Sequence, residues 1–137
     1  PPMPSEHPLL PELETRFQHY ADEQQAIDVI ALATTDGFPV HTYTRSPGDF
    51  ATDTLAAAAS TLYSVSNAVA QQILGKRFKV TFIEAEQGNV AFVALSVQDR
   101  DYVLAMSAKA AMNIANLRLQ IQRLATEISG IDRPAVA

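Results

Sequence analysis

From Thr54 to Gly75 the chain carries no Asp, Glu, Lys, Arg or His, although the segment otherwise has the apolar spacing of one long amphipathic helix. A helix with a water-facing side ordinarily bears charge there. The side turned away from the apolar stripe holds Ala57, Ser60, Thr61, Ser64, Asn67, Ala68 and Gln71. These are small or uncharged groups that another helix can approach at modest desolvation cost. The segment is therefore read as covered twice, by its own sheet and by a partner; a solvated Ser/Ala-rich helix is the plainer alternative.

The rest of the composition narrows the class. With 137 residues, 47% hydrophobic and 18% charged, the chain suits one globular domain with a core of its own. A net charge of -5 with ten scattered basic residues argues against a phosphate-binding surface, so nucleic-acid partners are not expected. The absence of cysteine removes disulfides and thiolate metal sites and fits a reducing, cytoplasmic setting. No apolar run is long enough to span a bilayer, so no membrane insertion is expected. Residues 1–8 lack the basic and apolar regions of a secretion signal, and a start at Pro1 points to a trimmed or processed N-terminus.

Periodicity orders the elements. Leu10, Leu13, Phe17 and Tyr20 mark a first helix, with Pro8 and Pro11 tolerated at its start and Glu12 and Glu14 near its positive end. Ile27 to Thr35 is apolar at even and odd positions, as in a strand covered on both faces, and Asp36-Gly37 supplies a hairpin turn into Phe38 to Thr44. Pro39 lacks a donor and assigns that second strand to an edge. After Pro47-Gly48-Asp49, with Asp49 as the expected cap, comes the long helix, ended by Gly75 in the left-handed conformation. Three strands follow, Phe78 to Ala85, Asn89 to Ser96 and Asp101 to Ala108, then a helix over Lys109 to Ser129 with the stripe Ile114, Leu117, Ile121, Leu124 and Ile128. If each hairpin pairs its own strands, the first and fifth strands meet in the middle. The expected fold is thus α+β: a five-stranded antiparallel sheet of order 2-1-5-4-3 with helices on both faces. The domain spans residues 9–129 between flexible tails at 1–8 and 130–137. The third strand is left at an edge, where Phe78, Val80, Phe82 and Ile83 form an aggregation hazard that Lys79 barely blunts.

Catalytic chemistry is missing. Gly75-Lys76-Arg77 fails as a phosphate loop, because Ala70 stands five residues before the glycine and Arg77 replaces the hydroxyl residue that would hold magnesium. His7, His19 and His41 have no metal-ligand spacing and are expected to face solvent. Asp99 and Asp101 around Arg100, and Glu84 and Glu86 before Gly88, read as solvated turn charges. No serine sits in a nucleophile elbow. Arg45, Arg77 and Arg100 are candidate functional arginines by exposure alone, though nothing around them specifies transition-state geometry. Met112 and Leu119 lie opposite the stripe of the last helix, as core contacts with the first helix or else as a docking patch.

The order of elements from Leu10 to Ile128 resembles the Roadblock/LC7 family, and the profilin-like architecture it shares. The pieces that carry the resemblance are the strand running into Thr35-Asp36-Gly37-Phe38-Pro39-Val40, the small-residue helix around Leu55 to Ala59, and Gly75-Lys76 leading into Phe78 to Glu84. The resemblance implies a homodimer whose third strands join into one sheet and whose long helices lie side by side. It also implies a partner, a small Ras-like GTPase, that the dimer regulates or scaffolds by repositioning the GTPase's own residues. The chain would then be no enzyme and carry no cofactor. Ala57, Ser60, Thr61, Ser64, Asn67, Ala68 and Gln71, with Lys79, Thr81 and Ile83, are the expected interface. Two rival functions remain: a small-molecule-sensing domain of related architecture with a polar-lined cavity between sheet and helix, and a purely structural adaptor.

Overall fold

Leu13, Phe17, Tyr20 and Ala21 recur at helical spacing and are buried along one side of α1 (Leu10–Glu23). The computed structural model describes residues 7–46 and 51–131. After α1 come β1 (Ile27–Thr34), β2 (Pro39–Thr44), α2 (Thr52–Leu74), β3 (Val80–Ala85), β4 (Gly88–Val97), β5 (Arg100–Lys109) and α3 (Ile114–Ser129). The five strands form one antiparallel sheet of order β2-β1-β5-β4-β3. The edge position argued from Pro39 is met: β2 ends the sheet on one side, and the proline pairs with Ala33 at a shift in register.

The two faces of the sheet are packed differently. On one, α1 and α3 close over Ile30, Leu32, Leu104 and Met106 with Phe17, Leu117, Ile121, Leu124 and Ile128, all fully buried. On the other, α2 lies on Ala31, Ala33, Phe92, Val103 and Ala105 through Ala56 and Ala59. Alanine against alanine lets a helix backbone approach closely but buries little apolar area per residue.

Glycines mark two connections. Gly75 ends α2 with φ 66°, the left-handed conformation expected of it. Gly88 opens β4 where an added Cβ would collide with the carbonyl oxygen of Ala108, so only glycine lets β4 and β5 meet there.

Several boundaries differ from the sequence expectation. Lys109 belongs to β5, its N–H donating to Ala26 O at 2.8 Å, and α3 starts only at Ile114, where Asn113 Oδ1 accepts from Asn116 N at 2.7 Å. β3 begins at Val80 rather than Phe78, since Phe78 N turns aside to donate to Asn67 Oδ1 at 3.2 Å. The tight turn is made by Gln98 and Asp99, both at positive φ, and Arg100 and Asp101 already lie in β5. Asp49, the expected cap of α2, lies outside the described residues.

Candidate self-association surface

β3 ends the sheet on its second side. It pairs with β4 from Val80↔Val93 to Ala85↔Gly88, and among the described residues no strand lies along its other edge. Beside that edge α2 continues past the part of the sheet it covers. Its two buried residues, Ala56 and Ala59, are both in its first half. Further on, Val65 is 53% exposed, Val69 51%, Ile73 74% and Leu74 72%. Apolar side chains so exposed on one continuous flank form a patch that water covers poorly. Between this flank and β3 runs an open groove of about 760 Å³, lined by Val65, Val69, Ile73, Val80, Thr81 and Arg118 among others.

The groove has a fixed floor. Ser66 Oγ and Thr81 Oγ1 share a hydrogen bond of 2.6 Å, and the rings of Tyr63 and Phe78 meet edge to face at 5.9 Å. With the bond from Phe78 N to Asn67, these contacts lock the second half of α2 to the start of β3, so the apolar flank is presented on a rigid support.

The expected interface residues divide. Ala57, Thr61, Ser64, Ala68, Gln71, Lys79 and Ile83 are exposed, whereas Ser60, Asn67 and Thr81 are half-buried. Ser60 and Asn67 do not turn away from their own domain. Ser60 Oγ donates to Thr35 O at 2.5 Å, holding the β1–β2 turn, and Asn67 holds Phe78 as above. Val65, Val69, Ile73 and Leu74 were missed because an apolar stripe on a helix reads as the side facing its own sheet. The available signal was length: α2 has 23 residues at about 1.5 Å rise each, whereas five strands stand only about 4.8 Å apart, so a helix crossing such a sheet overhangs its edge.

Other candidate groups are occupied by the fold. Arg45 is half-buried and clamps the end of α1, its Nε donating to Ile27 O at 2.5 Å and its Nη2 to Gln24 O at 3.2 Å and to Ala21 O. It is therefore not a free cation; Arg77 and Arg100 are exposed. Two histidines depart from the solvent-facing expectation. The His41 ring lies 5.3 Å from that of Phe17, and burial holds its pKa below the ordinary value. His7 is half-buried against Tyr102, with Nε2 3.2 Å from the phenol oxygen, and burial and Arg100 lower its pKa. His19 is exposed. The Tyr20 hydroxyl donates to Glu127 between α1 and α3, and burial followed by this bond pushes its pKa well up. Met112 is buried in the core ahead of α3, whereas Leu119 on α3 is 49% exposed, so the two do not form one patch. Among the described residues no three His, Asp or Glu side chains are grouped to hold a metal, and no helix is long and apolar enough to cross a membrane.

An antiparallel sheet flanked by helices, with one bare edge beside an apolar helix flank, offers a surface on which another chain can dock. The Roadblock/LC7 domain model matches residues 17–108, and the chain belongs to that family. Among solved structures it is similar to Myxococcus xanthus MglB, with 17% identity over 94% of this chain and 92% of that one and a TM-score of 0.76. It is also similar to an MglB with a tetrameric arrangement, at 16% identity over 93% and 91% with a TM-score of 0.75. The gliding protein MglB of Thermus thermophilus shares 17% identity over 93% and 92% with a TM-score of 0.74. At such identities the likeness is one of fold. No curated protein matches the chain by sequence.

Proposed function

We propose that this chain is a cytoplasmic, homodimeric regulator or scaffold of a small Ras-like GTPase, and that it supplies neither cofactor nor catalytic residue. The observation that carries the reading is the bare β3 edge beside the exposed Val65, Val69 and Ile73 flank. A second copy placed there pairs the edge and covers the flank in one step. Membership of the Roadblock/LC7 family supports the reading, as does likeness to an MglB described in a tetrameric arrangement. The GTPase partner follows from what the family resemblance implies.

Sedimentation at micromolar concentration tests the dimer. The wild type is expected at twice the chain mass, and Ala57→Arg, Ser64→Arg and Val69→Arg at the mass of one chain, since an unpaired buried charge costs several kcal/mol. A wild type that sediments as single chains would sink the reading. GTP hydrolysis by the cognate GTPase, measured with and without this protein, tests regulation; an unchanged rate with a stable complex leaves a scaffold. The small-molecule alternative has less support, because the space between sheet and α2 is filled by Ala31, Ala33, Ala59, Phe92 and Ala105.

A further inference from the structure

Symmetry restricts how β3 can meet its own copy. In a closed two-fold dimer joined edge to edge, with the axis normal to the sheet, the two strands run antiparallel. Residues directly opposite share a face of the sheet, and successive residues alternate faces. The axis must therefore pass beside a residue that meets its own twin. In a strand of six residues, Val80–Ala85, the pairing that uses the most backbone is centred on Phe82 or on Ile83.

Both registers bring the same two side chains together. Centred on Phe82, the partner's Glu84 stands opposite Val80 and diagonal to Phe82; centred on Ile83, it stands directly opposite Phe82. Opposite and diagonal neighbours lie within about 5–8 Å, inside the reach of long side chains. Phe82 and Glu84 point to the α3 side of the sheet: Phe82 packs against the core beneath α1 and α3, and Glu84 lines a cleft with Met112, Asn113 and Ile114. On that side the guanidinium of Arg118 stands 5.3 Å from the centre of the Phe82 ring. The aromatic face holds the cation over the seam. Among the described residues the ion pairs are Arg16–Glu12 and Lys109–Asp28, and neither Arg118 nor Glu84 has an ionic partner there.

We propose that Arg118 of each copy pairs with the partner's Glu84 across the joined β3 strands, giving two symmetry-related ion pairs that select a second copy of this chain as the partner. The proposal rests on the self-pairing read above and adds what makes the edge specific. Main-chain pairing accepts any strand. An acidic group near the axis discriminates against a strand lacking it.

A charge swap tests it. Dimer dissociation constants are measured by sedimentation for the wild type, Arg118→Glu, Glu84→Arg and the double reversal, with circular dichroism checking that each folds. Each single reversal is expected to weaken self-association about ten-fold or more, as like charges then meet at both symmetry-related positions. An equimolar mixture of the two single variants should form a heterodimer tighter than either homodimer, and the double reversal should return to within a few-fold of the wild type. High salt should narrow all these differences. A dimeric wild type whose single reversals dimerise unchanged, or whose double reversal is no better than the singles, overturns the ion pair alone. A monomeric wild type overturns the self-pairing and the ion pair together.

Discussion

The two faces of the sheet are built from different materials. Under α1 and α3 the contact is made by Leu13, Phe17, Met106, Leu117, Ile121, Leu124 and Ile128, large side chains with no exposure at all. Under α2 it is made by alanines with Phe92 and Val103, and the side chains of Val65, Val69 and Ile73 stand out in solvent. The first face is complete within one chain. The second holds its helix close and directs its remaining apolar area sideways, toward the bare edge of β3. A helix can thus be anchored by small residues while its larger ones stay exposed.

Mutations separate the two faces most clearly where the core is densest. Leu124→Ala on the complete face should lower unfolding free energy by about 2–5 kcal/mol, read by urea denaturation, with no dependence on protein concentration beyond that of the wild type. Ala59→Leu should cost about 1–3 kcal/mol, because the close approach of α2 leaves no room for the added methyl groups; little loss there would mean that this face is looser than its burial indicates. Removing the Ser60 hydroxyl, Ser60→Ala, frees the carbonyl of Thr35 and should cost about 1 kcal/mol in the same assay. By contrast Val69→Asp should change the stability of the isolated chain by less than about 0.5 kcal/mol, measured at concentrations low enough to keep it monomeric. A large loss there would show that the flank belongs to the chain's own core.

Acid reaches the complete face through His41, which meets Phe17 there. Burial lowers the pKa of both His41 and His7. Below the ordinary histidine value of about 6.5 the unfolded chain therefore binds protons that the folded imidazoles resist. This contribution is fully present above that pH and is lost as pH falls below it toward the folded-state values. The melting temperature should drop modestly between pH 7 and pH 5, and His41→Asn should flatten part of the drop.

Much of this arrangement could be read from the chain. Pro39 at an edge, Gly75 at a helix end and strands apolar on both faces led to the order 2-1-5-4-3, because hairpins of adjacent strands leave few other ways to pair. The stripe of α3 was legible for the same reason that it is buried: Leu117, Ile121, Leu124 and Ile128 lie on one side of one helix. Boundaries were less legible where a single hydrogen bond decides them, as at Lys109 and Phe78. The orientation of α2 was harder still, since an apolar stripe does not state which neighbour it meets, and Ser60 and Asn67 look like surface groups until the β1–β2 turn and the start of β3 are brought beside them.

By itself the sequence determined the order of strands, the apolar stripe of α3 and the absence of charge from the long helix. Those are properties of local pattern and of short connections. Only the tertiary structure decided that Val65, Val69 and Ile73, and not the small residues alone, face outward next to β3, and that Arg118, on the last helix, stands over Phe82 at the bare edge. Such placements depend on how far a helix overhangs a sheet and on which elements pack across it, and residues so distant along the chain meet only after the whole domain has closed.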